Sequence, residues 1–155
     1  MNIVVLGGGA HMAQPAVKYL LEKEEIKKIV LADLNFQLVE KIASELGSKV
    51  KPQAVDVNNR EELMNTIDGA DLVINFIGPY YKFGTKILET VIDASINYID
   101  ICDDHDTTLE ALELNERAKE KGVTALIGMG ASPGITNVLA RLASDELDSV
   151  EEINT

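Results

Sequence analysis

Short apolar runs alternate along this chain with longer segments in which apolar side chains recur every three or four residues. Runs of the first kind suit strands covered on both faces of a sheet, and segments of the second suit helices laid across it. Six strands are predicted: Asn2–Leu6, Lys28–Ala32, Val50–Val55, Leu72–Ile77, Tyr98–Ile101 and Thr124–Ile127. Val17, Leu20 and Leu21 mark a helix after the first strand, and Leu38, Ile42 and Leu46 one after the second. Later helices are marked by Ile87, Val91 and Ile92, by Leu109, Leu112 and Ala118, and by Ile135, Leu139 and Leu142. Asn35 is placed to start the second helix and Gly47 to end it, while Asn59 with Glu62 and Thr107 with Glu110 have capping-box spacing.

Strand and helix alternate without a linker, repeat or low-complexity tract, which predicts parallel strands joined by five or six crossover helices. The expected architecture is α/β: a doubly wound Rossmann sheet of six parallel strands in the order 3-2-1-4-5-6. The tail departs from this rhythm. Ser149 to Asn154 alternates polar with apolar residues like a strand lacking a partner, so residues 1–148 read as one Rossmann domain and 149–155 as a sheet edge or the stub of a further domain.

The chain has 155 residues, 46% of them hydrophobic, enough for one substantial core. Asp and Glu outnumber Lys and Arg 26 to 14, a formal charge of −12 with no basic cluster, which argues against nucleic acid or an anionic membrane as partner. Cys102 is the sole cysteine, so neither an internal disulfide nor a thiolate zinc cage is expected and a reducing, cytoplasmic setting fits. No apolar stretch approaches the ~18 residues of a membrane span.

Candidate chemistry begins in Gly7-Gly8-Gly9-Ala10-His11-Met12, between the first strand and its helix. A pyrophosphate needs backbone amides and space, and Gly7 at the tight turn with Gly9 lacking a Cβ offers both; the amides freed at these glycines are expected to cradle it. Met12 occupies the place of the third glycine of a dinucleotide fingerprint, so the helix is expected to ride slightly farther from the sheet, with Ala16 the nearest small residue. Asp33, ending the second strand, is positioned for an adenosine ribose, and Leu34 follows it. A carboxylate there repels a 2′-phosphate and no Lys or Arg follows it, which favours NAD with NADP possible.

Ligands of such sheets lie beyond the carboxyl ends of the strands. Asp56 and Val57 are placed there to flank an adenine, and Phe76, Ile77, Gly78 and Pro79 to meet the middle of the cofactor. Tyr80 and Tyr81 either wall a nicotinamide pocket or pack against neighbouring loops. After the fifth strand, Cys102, Asp103, Asp104, His105 and Asp106 invite a metal reading, but acids ahead of a helix cap it, and no metal is assigned. Ser132 and Pro133 read as cap and first residue of the last helix, whose amino end, with Thr136 and Asn137, offers a place for a substrate carboxylate. Tyr80, Asp103, Thr136 and Asn137 are thus the substrate candidates, and no residue is assigned as catalytic.

The segments VVLGGGAHMAQPAVKYLL, IVLADLN, GADLVINFIGPYY, INYIDICDD and ALIGMGASPGITNVLAR resemble the cofactor domain of the saccharopine dehydrogenase family over nearly the whole chain. The resemblance implies an oxidoreductase moving a hydride between a nicotinamide and the C–N bond of an amino acid, such as lysine, or its imine adduct. It also implies a further domain that binds substrate and makes a homodimer, and the proton-transfer group belongs there or here. A regulatory module that senses NAD without chemistry is the alternative, and a scaffold without a ligand a third; a sensor has no need of Gly78 to Tyr81 or of the helix start at Ser132 to Asn137 facing a substrate.

Overall fold

A computed structural model describes residues 1–154. Its strands are β1 (Asn2–Leu6), β2 (Lys28–Asp33), β3 (Val50–Ala54), β4 (Leu72–Asn75), β5 (Asn97–Asp100) and β6 (Ala125–Leu126). All pair in parallel, in the order β3-β2-β1-β4-β5-β6. The helices are α1 (Ala13–Leu21), α2 (Phe36–Leu46), α3 (Arg60–Ile67), α4 (Tyr80–Asp93), α5 (His105–Leu112), α6 (Asn115–Glu120) and α7 (Ile135–Asp145).

Because side chains alternate along a strand, β1 feeds two cores. Ile3 and Val5 join Val17 of α1 and Val39 and Ile42 of α2 on one face. Val4 and Leu6 join Leu63 and Ile67 of α3, Ile87 and Val91 of α4 and Ala118 of α6 on the other. Burying each such aliphatic side chain stabilises the sheet by ~2 kcal/mol, which is why the apolar runs are legible as strands.

Element boundaries differ from the expectation where polar side chains take over the ladder. β4 stops at Asn75, whose Oδ1 accepts the Ile77 N–H (2.9 Å), and β5 stops at Asp100, whose Oδ1 accepts the Cys102 N–H (3.0 Å). β6 shrinks to two residues, since the Gly128 N–H also turns to Asp100 (2.9 Å). Asn35 and Asn59 cap α2 and α3 as expected, although Glu62 accepts from the Asp56 amide (3.0 Å) rather than from the Asn59 amide that a capping box would use. Asp104, rather than Thr107, caps α5, accepting the Thr107 amide (3.1 Å). The expected single helix through Leu109 and Ala118 is two, α5 and α6, with no proline or glycine at the break.

The largest departures lie at the end of the chain. α7 starts at Ile135 with Gly134 as its cap, not at Ser132-Pro133, and none of its residues is buried. It follows an outermost strand of only two residues, Ala125 and Leu126, and Ile135, Val138, Leu139 and Leu142 face outward. The tail forms no strand up to Asn154; Val150 and Ile153 instead line a groove beside Leu139 and Ala143. No helix is long and apolar enough to cross a membrane among the described residues.

Asp93 ties the second face together, accepting from Arg60 of α3 and Arg117 of α6. Burial opposes its charge, but the two guanidinium groups outweigh that and hold its carboxyl below the ordinary value. A depressed carboxylate contributes stability above its unfolded value and loses it as pH falls through the folded one. Asp93→Asn should therefore cost about 1 kcal/mol at neutral pH, the pairs being partly solvated. Urea unfolding should show that difference closing once the pH is taken below 3.8.

Candidate functional site

The loops beyond β1, β2, β3 and β4 enclose a cleft of about 400 Å3. It lies where the strand order reverses between β1 and β4, whose crossovers leave toward opposite faces of the sheet. Gly7, Gly9 and Ala10 line it from the first loop, Asp33 and Leu34 from the second, Val55, Asp56, Val57 and Asn58 from the third, and Phe76, Ile77 and Gly78 from the fourth, with Phe83 of α4 behind them.

Two glycines let these loops approach. Gly7 has φ +72°, and a Cβ there would stand 3.0 Å from the Phe76 carbonyl carbon. A Cβ at Gly9 would stand 2.6 Å from Leu38 Cδ2 and 3.0 Å from Asp33 Oδ2. The space left at Gly9 is taken by a hydrogen bond: its N–H donates to Asp33 Oδ2 (3.0 Å), while the Asn35 N–H donates to Oδ1 (2.9 Å). The Asp33 carboxylate is so fixed at the cleft by backbone, and each oxygen retains acceptor capacity for a ribose hydroxyl. Asp56 Oδ1 accepts from the backbone and side-chain nitrogens of Asn58, bonds that hold its carboxyl below the ordinary value. Among the described residues no Lys or Arg lines this cleft.

Of the two glycine amides expected to face an anion, that of Gly9 is engaged and that of Gly7 is not. Gly8 donates to the Ala32 carbonyl (3.1 Å), Gly9 to Asp33 and Ala10 to the Gly7 carbonyl (2.9 Å). The amides of Gly7, His11 and Met12 donate to no group among the described residues, and α1 begins next to the last two without a side-chain cap. Gly9 supplies room, while Gly7 and the turn after the glycines supply the donors. Met12 is 58% exposed and lies off the cleft wall, as does His11. Close packing of helix on sheet falls to Ala13, fully buried beside Ile3 and Val5, so Met12 does not hold α1 away and Ala16 is not needed. The helix starts at Ala13, which turns that residue inward and Met12 outward.

Other expected residues stand apart. Pro79 caps α4 outside the cleft wall. Tyr80 turns into the core, its hydroxyl donating to the Asn75 carbonyl (2.9 Å), and burial pushes its phenol well up; Tyr81 is exposed. Asp103 is exposed on the loop after β5. At α7 three amides are already engaged: Gly134 N–H by Asn137 Oδ1 (2.9 Å), and the Ile135 and Thr136 amides by the Gly130 and Ala131 carbonyls (3.0 Å each). Thr136 lines the groove beside the tail, not the cleft, and its Oγ1 is buried without a hydrogen-bond partner among the described residues.

Cys102 is buried, and that burial pushes its thiol up, the reverse of an activated nucleophile. Among the described residues no three His, Cys, Asp or Glu side chains gather closely enough to hold a metal ion. Sequence reasoning passes over Asn75, Tyr98 and Asp100, buried polar groups at the strand ends; the signal is a polar residue closing each apolar run, at LVIN and NYID.

A family model described as saccharopine dehydrogenase NADP binding domain matches residues 3–126. Carboxyaminopropylagmatine dehydrogenase of Synechocystis sp. is 28% identical over 151 residues, covering 92% of this chain and 37% of that protein. Carboxynorspermidine synthase of Vibrio cholerae is 24% identical, covering 99% and 43%. This chain thus spans less than half the length of either relative. The apo structure of saccharopine dehydrogenase (L-Glu forming) from Saccharomyces cerevisiae superposes with a TM-score of 0.81 at 23% identity, over 94% of this chain and 31% of that one, a likeness of fold.

Proposed function

The chain belongs to the saccharopine dehydrogenase family through its NADP-binding domain, and from that premise we propose that its cleft holds NAD in preference to NADP, for hydride transfer at the C–N bond of an amino acid or its imine adduct. The observation that carries the preference is Asp33, fixed by the Gly9 and Asn35 amides in a cleft whose described walls carry no Lys or Arg. A 2′-phosphate placed there would meet the carboxylates of Asp33 and Asp56 with nothing to neutralise it.

In this reading Asp33 accepts from the adenosine ribose, and Leu34, Asp56 and Val57 flank the adenine. The free amides of Gly7 in the cleft wall, and of His11 and Met12 beside it, hold the pyrophosphate over Gly9 and Ala10. Phe76, Ile77 and Gly78, followed by Pro79, meet the nicotinamide half. When bound, the nicotinamide supplies or takes the hydride, and the chain's part is to bind it, orient it and exclude water from it. The names of the two relatives, each with a carboxylated amine in it, support a C–N substrate. Residues beyond a cofactor domain of 1–148, with 149–155 as their first segment, would bind that substrate and make a homodimer in a cytoplasmic enzyme without nucleic-acid partners.

Calorimetric titration with NADH and NADPH tests the reading. Saturable binding of both, with NADH tighter by about tenfold, is expected from one unneutralised charge contact of roughly 1.4 kcal/mol. Absence of saturable binding by either would remove the basis for a cofactor domain, and a tighter NADPH would reverse the assignment of Asp33.

A further inference from the structure

Beneath the wall formed by Phe76, Ile77 and Gly78 lies a chain of buried polar groups whose direction is fixed by donors that cannot be reversed. The Ile77 N–H can only donate, so the oxygen it meets identifies Asn75 Oδ1 and turns Nδ2 toward the Tyr98 hydroxyl (2.9 Å). That hydroxyl accepts from Asn75 and therefore directs its own hydrogen to Asp100 Oδ2 (2.9 Å). Asp100 Oδ1 accepts the backbone N–H groups of Cys102 and Gly128. Asn75 and Tyr98 are fully buried and Asp100 is 4% exposed, with no basic side chain paired to it among the described residues.

A buried carboxylate answered only by amides and a phenol is a costly way to gain stability, since well-packed apolar groups of similar volume do as well or better. What this arrangement does that an apolar core cannot is join the first residues of three loops, those after β4, β5 and β6, by directional bonds. One of those loops is a wall of the cleft. The Tyr80 hydroxyl, holding the Asn75 carbonyl from α4, closes the same junction from above.

We propose that Asn75, Tyr98 and Asp100 are positioning residues: without touching the cofactor, their hydrogen-bonded chain holds the Phe76–Gly78 wall in the shape that receives the nicotinamide half of the dinucleotide. The inference rests on the assignment of that wall to the nicotinamide half. It separates the two ends of the cleft, because the adenosine end is built on Asp33 and its own amides, with no bond to this chain.

The test compares NADH with ADP-ribose, which carries the adenosine and pyrophosphate but no nicotinamide, on the wild-type chain and on Tyr98→Phe. Phenylalanine keeps the ring and removes the hydroxyl that links Asn75 to Asp100. The dissociation constant for NADH should rise about fivefold or more, an effect on the order of one lost hydrogen bond, while that for ADP-ribose stays within about twofold. A general loss of stability lowers the melting temperature without moving the ratio of the two constants, so an unchanged ratio in a folded variant overturns the proposal. If the wild-type chain binds neither compound, the cofactor reading itself falls and this inference with it. Should Tyr98→Phe not fold, Tyr80→Phe, which frees the Asn75 carbonyl, is titrated instead: a raised ratio supports the proposal and an unchanged one overturns it.

Discussion

A chain carrying Gly7→Ala should lose about 2–5 kcal/mol of stability and at least roughly tenfold in cofactor affinity. The backbone at Gly7 has φ +72°, a conformation that costs an L-residue ~1–2 kcal/mol. The added methyl would also press on backbone, with the Phe76 carbonyl carbon at 3.0 Å and the Ile77 nitrogen at 3.1 Å. Backbone yields only if β1 and β4 part at Leu6 and Asn75, where they are in register, and that movement displaces the cleft wall. Overpacking of this kind adds ~1–3 kcal/mol. Gly9→Ala is the informative contrast, because its methyl meets the far end of the Leu38 side chain, which can swing aside, and the Asp33 carboxylate. Thermal unfolding beside NADH titration should rank Gly7→Ala as the more destabilising, with both weakened in binding. Native melting and native affinity in Gly7→Ala would show that the loops after β1 and β4 are farther apart than described.

Asp33→Asn should weaken NADH by about tenfold to hundredfold, the range of a lost hydrogen bond to a charged group of ~1.5–3 kcal/mol. Asparagine has one acceptor oxygen for the Gly9 and Asn35 amides that Asp33 answers with two, so part of the loss is loosening of the loop and falls on any dinucleotide. The remainder is specific. Removing the charge also removes the repulsion of a 2′-phosphate, and NADPH should weaken less than NADH, narrowing the preference between them. Parallel titrations read that ratio, and an equal fall for both cofactors would mean that Asp33 shapes the loop without reading the ribose.

Much of this is legible along the chain because the relevant physics is local. The apolar runs mark all six strands, right-handed crossovers leave few orders for them, and the spacing from Gly7 and Gly9 to Asp33 puts loop and acid on neighbouring strand ends. Asn35 and Asn59 are readable as caps because a cap answers amides two or three residues away. The outward-facing stripe of α7 is not readable, since periodicity says that a helix has an apolar face and not whether any surface lies opposite it.

Hydrophobic burial and short-range backbone geometry are written along the chain, and from them follow the α/β alternation, the glycine turn and the acid that faces it. That Gly9 gives its amide to Asp33, that Tyr80 turns inward, and that Asn75, Tyr98 and Asp100 meet emerges only in the folded chain. Hydrogen bonds are directional and short, so partners some 23 residues apart in sequence become visible only when the sheet has set them side by side.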